Sequence, residues 1–281
     1  MEIGKINKLK AARTTDNGCY LMDEEGNEVL LPNVYVSPSL KLGDEIDVFV
    51  YLDNEEREVA TTITPKIQLD SFAYLQVMDV NRAGAFLDMG VVKQLLVPYS
   101  EQPVKMEAGE WYVVFCLLDE KTGRLIGSAQ IEDFIFTEDL DVAEGDEVEI
   151  LAYKRSDLGM NVIVNGQYQG LIFKSDMHKR VQVGDEIKAF VKQVRTDGKI
   201  DIVLEPQGYR NVIDNATQGV LDILIKNDGF FKYHDKSDPA EISKVFGMSK
   251  KAFKKALGNL YKQRIVSLSK EGTKLLKKGK A

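Results

Sequence analysis

The chain reads as a mostly β protein with three tandem five-stranded OB-fold barrels, followed by a small α+β domain of winged-helix layout. Three observations predict this. A glycine-led turn recurs at Gly18, Gly84 and Gly159 and a second at Gly43, Gly109 and Gly184, with the same 25-residue offset inside each pair. The apolar period changes from two to about 3.6 beyond Gly208. Charge divides at the same place: residues 1–205 hold 21 Lys and Arg against 37 Asp and Glu, net −16, whereas residues 206–281 hold 16 against 7, net +9. A boundary near Glu205-Pro206-Gln207-Gly208 follows, giving modules 1–64, 65–138, 139–206 and 207–281.

In the first copy, Ile3–Leu9, Cys19–Met22, Val29–Pro32, Ile46–Tyr51 and Glu58–Thr62 alternate as half-buried strands. The second copy places strands at Ala73–Val80, Ala85–Met89, Gln94–Val97, Trp111–Leu117 and Arg124–Ala129. Trp111 stands among Val113, Val114 and Phe115 and is expected in the core. Nine extra residues before the third copy fall around Ile131–Val142, either a brace between barrels or a loop. The third copy is the clearest. Val148–Lys154 and Met160–Val164 are followed by an Asn165-Gly166 turn, then Tyr168–Phe173, Ile187–Val194 and Ile200–Leu204. Five short antiparallel strands hide their edges by closing into a barrel.

Bulk properties exclude several classes. At 281 residues the chain suits three or four small modules. No apolar run approaches the ~18 to 20 residues of a membrane span, and the first residues lack a signal-peptide core, so a cytoplasmic protein without membrane contact is expected. Cys19 and Cys116 fit no metal-ligand spacing and read as reduced thiols. There is no phosphate-loop glycine pattern and no H-E-x-x-H. His178 and His234 are far apart in sequence and assemble no catalytic set, so no enzyme, metal or cofactor is expected.

The turn order of copy three, G-x-x-x-V, G-L-I-x-x-S-D, G-D-E-I-x-A-x-V and D-G-K-I-x-I-V-L, resembles the RNA-binding OB domain repeated in the largest small-subunit ribosomal protein, the ribosomal S-one-type domain. That family has His where this chain has Phe173, and an aromatic where it has Asn161 or Val162. Such barrels stack bases on aromatic rings from the second and third strands, at roughly 1 to 3 kcal/mol per base. The corresponding candidates are Tyr20, Phe86, Tyr168 and Phe173, each of which is also readable as core. The resemblance further implies an acid and a base bracketing the last turn: Asp53 with Arg57, Asp119 with Arg124, and Asp197 with Lys199. Net −16 leaves few phosphate contacts. Copy three is least acidic, and Lys174, Lys188 and Lys192 are its candidate backbone contacts.

In the last module, Ile213, Ala216, Val220, Ile223 and Leu224 share one face of a helix from about Asp214 to Lys226. Asp238-Pro239-Ala240-Glu241 is a capping box that starts a second helix ending near Gly247. Met248-Ser249 caps a third, Lys250 to about Lys262, which buries Phe253, Ala256, Leu257 and Leu260. Ile265–Leu268 and Thr273–Leu276 flank a Lys270-Glu271-Gly272 turn as a hairpin. This is a winged helix, with Lys250, Lys251, Lys254, Lys255 and Lys262 as candidate nucleic-acid contacts. Lysines favour phosphates over base edges, and only Asn259 and Gln263 suit base reading. Three barrels and a winged helix in this order resemble the conserved virulence factor B family. The resemblance implies an RNA-binding, non-catalytic regulatory protein that affects expression of other genes. DNA-binding transcription regulation through the winged helix, or protein-interaction scaffolding by acidic barrels, are the alternatives.

Overall fold

The computed structural model describes residues 1–177, 179–205, 215–262, 264–269 and 271–276. It divides into two compact units, Met1–Leu204 and Glu205–Ala281. The expectations placed on Pro206, Gln207, Gly208, Ile213, Asp214, His178, Gln263 and Lys270 lie outside the described residues.

The first unit contains three closed five-stranded barrels. Barrel one is built from β1 (Ile6–Thr15), β2 (Gly18–Met22), β3 (Glu28–Pro32), β4 (Glu45–Leu52) and β5 (Glu58–Thr61). Barrel two uses β6 (Phe72–Val80), β7 (Gly84–Leu87), β8 (Leu95–Pro98), β9 (Trp111–Leu118) and β10 (Leu125–Ser128). Barrel three uses β11 (Glu147–Arg155), β12 (Gly159–Val164), β13 (Tyr168–Phe173), β14 (Glu186–Val194) and β15 (Ile200–Val203). In each barrel the first strand pairs with the second and fourth, and the third strand closes on the fifth in parallel. This is the OB-fold connectivity.

The repeated glycine of the first turn has a packing cause. A Cβ at Gly18, Gly84 or Gly159 would lie 2.1, 2.2 or 1.9 Å from the carbonyl oxygen of Leu31, Val97 or Ile172 across the hairpin. The backbones therefore approach too closely for any side chain.

One feature of the first strand escaped the sequence pattern. In all three barrels it carries a register shift at the same place, between Ala11 and Arg13, Val77 and Asp79, and Ala152 and Lys154. The shift lets β1 continue past Leu9 to Thr15, where its polar residues hide the period.

Each barrel core is filled by alternate positions, such as Leu9, Ala11, Leu21, Leu31, Val48 and Val50 in barrel one. Some strands are apolar on both faces, because their outer faces meet a neighbouring barrel. On β4, Phe49 and Tyr51 point away from their own core and join the apolar cluster of barrel two. On barrel three, Leu151, Tyr153 and Ile163 turn outward to meet Val113 and Tyr74 of barrel two. The segment from Ile131 resolves as a brace: a 3-10 turn at Ile131–Phe134 precedes Phe136, which bonds in parallel alongside Tyr168. Its N–H donates to Gln167 O at 2.8 Å, and its carbonyl accepts from Gln169 N at 3.2 Å.

Trp111 corrects the expectation of a core position. It is 43% exposed and packs at a tilt against Tyr74, with ring centroids 5.4 Å apart. The alternation of β9 sends Tyr112, Val114 and Cys116 inward and Trp111, Val113 and Phe115 outward, so neighbours in sequence were a poor guide to its face.

The second unit has α1 (Asn215–Lys226), α2 (Pro239–Phe246), α3 (Lys250–Lys262) and a sheet of β16 (Phe230–Phe231), β17 (Val266–Leu268) and β18 (Thr273–Leu275) in the order β16-β18-β17. Asp238 Oδ1 accepts from Ala240 N at 2.8 Å and Glu241 N at 3.3 Å, and Ser249 Oγ accepts from Ala252 N at 3.2 Å, so both predicted caps form. Strand β16 is too short to show a period; it is held by Phe231, which packs edge-on against Phe246.

Candidate nucleic-acid interface

The hairpin of the second and third strands presents an outward face in each barrel, and the shared registers place equivalent residues there. In barrel one Tyr20 sits across from Arg13 and Leu30. In barrel two Phe86 sits across from Asp79 and Leu96, and in barrel three Asn161 across from Lys154 and Leu171. Two residues further along the third strand stand Pro32, Pro98 and Phe173, opposite the turn glycines. The residue opposite this hairpin position lies seven positions upstream in every copy, a spacing that could have flagged Arg13, which the sequence pattern did not single out.

The three faces differ chemically. In barrel one the Arg13 guanidinium lies 3.7 Å from the centroid of Tyr20. Its Nη2 and Nε both donate to the Glu28 carboxylate, at 2.7 and 3.1 Å. That fork holds Glu28 below the usual carboxylate range and raises Arg13. The result is a flat cation fixed on a ring, with half of the Arg13 side chain still exposed. Barrel two offers the half-buried Phe86 ring beside the exposed carboxylate of Asp79. Barrel three moves its ring by one register step, to Phe173. Arg195 lies 5.3 Å from that ring centroid and pairs with the buried Asp201 at 2.6 Å. Lys154, beside Asn161, pairs with Glu132 at 3.1 Å.

Other expected site residues have different surroundings. Tyr168 is only 5% exposed and belongs to the core of barrel three, correcting its reading as an exposed ring. It opens β13, one residue after the Asn165-Gly166 turn, where the first strand position faces inward. A hydrogen bond to Asp141 raises its hydroxyl above the ordinary range. Arg57 pairs with Asp53 at 2.7 Å and Glu55 at 2.9 Å. Asp53 lies below its usual range, first because it accepts from the Arg57 backbone N–H and then from its side chain. Asp119 is lowered by the Thr122 hydroxyl and N–H, and Arg124 reaches Glu56 of barrel one instead of Asp119. Asp197 Oδ1 accepts from Lys199 N at 3.2 Å. These carboxylates satisfy N–H groups of their own turns. Lys188 pairs with Glu147 at 2.7 Å and Lys192 with Asp176 at 2.8 Å, whereas Lys174 is exposed.

On the second unit, α3 buries Phe253, Ala256, Leu257 and Leu260. The opposite face shows Lys251, Lys254, Lys255 and Lys262 exposed, with Lys250 and Asn259 half-buried. Gly258 sits among these lysines with no atom within 4 Å of the place a Cβ would take, so the helix surface there is open to close approach. Among the described residues no group of three or more His, Cys, Asp or Glu is placed to hold a metal, and no helix is long and apolar enough to cross a membrane.

Residues 3–63 match the S1 domain family model, and residues 218–275 match the CvfB-like winged helix domain model. The chain is 30% identical over 271 residues to YitL of Bacillus subtilis (strain 168), covering 93% of this chain and 90% of that one. It is 27% identical to Conserved virulence factor B of Staphylococcus epidermidis (strain ATCC 12228 / FDA PCI 1200), covering 99% and 96%. A crystal structure of a multidomain protein with nucleic acid binding domains from Streptococcus pneumoniae TIGR4 aligns over 98% of both chains, with a TM-score of 0.45 and 24% identity. The architecture is that of OB-fold barrels, the first matching the S1 model, followed by a winged helix. The chain belongs to the conserved virulence factor B family.

Proposed function

We propose that the protein binds single-stranded RNA on the outward hairpin faces of its barrels and on the lysine face of α3, and that it acts as a regulator of gene expression. The observation that carries this reading is the guanidinium-on-ring arrangement found twice, Arg13 on Tyr20 and Arg195 by Phe173, at the exposed hairpin of an OB barrel. A base stacks on such a plane whatever its identity. The open lysine face around Gly258 supplies phosphate contacts that the barrels lack. The S1 and winged-helix matches agree with this reading.

The test is anisotropy of labelled single-stranded RNA and of duplex DNA with the intact protein at two salt concentrations. Tyr20→Ala and Phe173→Ala are each expected to weaken RNA binding roughly 5- to 150-fold, the equivalent of losing one stacked base at ~1 to 3 kcal/mol. Lys251→Ala with Lys262→Ala lowers the salt slope by about 0.7 for each phosphate that is no longer neutralised. Tighter binding to duplex than to RNA, or RNA binding indifferent to both aromatic variants, overturns the assignment. The regulatory part predicts altered lifetimes of cross-linked transcripts in cells carrying only the Tyr20→Ala, Phe173→Ala protein. Unchanged transcripts overturn it.

A further inference from the structure

Barrels two and three form a groove of about 980 Å³. Its apolar floor includes Phe72, Leu151 and Ile163, and its rim carries Asp70, Glu149 and Glu186. The lining also includes Glu147 and Lys188, which pair with each other, Asp70 pairs with Lys5 at 3.5 Å, and Glu149 stands across from Lys188 in the register, so the rim stays net acidic through Glu149 and Glu186. Neither Glu149 nor Glu186 forms an ion pair with a described residue, and both are exposed. Phe72 is half-buried and packs at a tilt against Phe115, with ring centroids 4.8 Å apart. The groove is at the large end of ligand clefts, roughly 300 to 1,000 Å³.

We propose that this groove docks a basic, apolar-anchored segment of a protein partner, an extended peptide alternating Lys or Arg with Leu or aromatic residues. Charge complementarity selects the occupant. A phosphate polymer meets net negative charge here and is repelled. A polyamine satisfies the carboxylates but leaves the floor wet, and an uncharged apolar ligand buries the floor but leaves the rim unmatched. Only a chain carrying both features fills floor and rim at once, its cations lying over the Glu149 and Glu186 carboxylates and within reach of the Phe72 ring. The proposal is separable from RNA binding by residue, since Arg13, Tyr20, Phe173 and Arg195 do not line the groove.

The experiment uses the full chain and a fluorescein-labelled decapeptide alternating lysine with leucine or phenylalanine. Controls are the same peptide with glutamate for lysine, and one with serine for leucine and phenylalanine. Binding at least tenfold tighter than to either control is expected. Glu149→Lys with Glu186→Lys is expected to remove at least tenfold of it, while Glu24→Lys with Glu25→Lys, an equal charge change on an exposed turn of barrel one, leaves it within twofold. RNA affinity of the groove variant is measured in parallel and shows that the protein remains folded and active. The proposal is overturned if the decapeptide does not bind at 100 μM, if the serine control binds equally, or if both double variants weaken it alike. It is also overturned if light scattering shows a dimer that the groove variant dissociates, since the occupant would then be the basic unit of a second copy.

Discussion

Alanine at Gly184 tests the packing of barrel two on barrel three, and the threefold repeat provides its own controls. Gly43, Gly109 and Gly184 occupy the same turn with φ of 95, 88 and 92°, so alanine carries the same left-handed strain at each, about 1 to 2 kcal/mol. Their surroundings differ. A Cβ at Gly109 meets nothing within 4 Å, and at Gly43 the nearest atom is Lys10 Cε at 3.9 Å. At Gly184 it would lie 2.1 Å from Tyr74 Cδ1, on a ring held against Trp111. Moving that ring adds an overpacking cost of about 1 to 3 kcal/mol, for a total of roughly 2 to 5 kcal/mol. Trp111 is the single tryptophan and touches the ring in question, so its fluorescence during urea unfolding reads this junction directly. Gly184→Ala is expected to lower the midpoint well below Gly43→Ala and Gly109→Ala. In a Tyr74→Ala background the extra cost should vanish, leaving only the turn strain. Equal midpoints for the three single variants, or an extra cost that survives loss of Tyr74, would refute the packing argument.

Three further outcomes follow from the same structure. Phe49→Ala removes a side chain buried to 1% exposure between barrels one and two and should cost about 3 to 5 kcal/mol, opening the segment between Ile63 and Lys66 to protease while barrel one stays folded. Asp238→Ala should cost the second unit ~0.5 to 2 kcal/mol by uncapping α2, and Asp238→Ser should restore most of it, as read by thermal unfolding of the helical signal. Burial pushes the Cys116 thiol, whose ordinary value is 9.0, up to about 12, and the Tyr153 hydroxyl from 10.0 to about 12. Both values are raised on folding, so the stability they represent is complete below about pH 9 and is lost as pH rises toward 12; the urea midpoint should fall across that window, less steeply in Tyr153→Phe.

The contrast between Gly184 and Gly109 also marks where sequence stops being informative. Both glycines announce the same turn, and nothing local distinguishes them, since Tyr74 is 110 residues away from Gly184. The apolar run of β4 was legible as a strand, but its two-sided burial was not, because Phe49 and Tyr51 find their partners in another barrel. The same holds for Trp111, placed by the pleat on the outer face, and for Tyr168, placed by its turn on the inner one. Of the candidate site, the Tyr20 and Phe86 register and the lysine face of α3 were readable from repeats and helical period. The cations that complete the rings were not. Arg13 stands at a seven-residue spacing whose meaning only the strand register reveals, and Arg195 arrives by an inter-strand contact that a one-dimensional pattern does not encode.

By itself, the sequence determined the three barrels, the winged helix, both helix caps and the charge divide, because each follows from local spacing, turn chemistry and composition. Tertiary structure alone decided which outer faces the barrels bury against one another, which carboxylates bind their own turns, and where an acidic, apolar-floored groove opens. Those outcomes depend on pairs of surfaces brought together by folding, and the physics of a pair resides in neither partner's sequence alone.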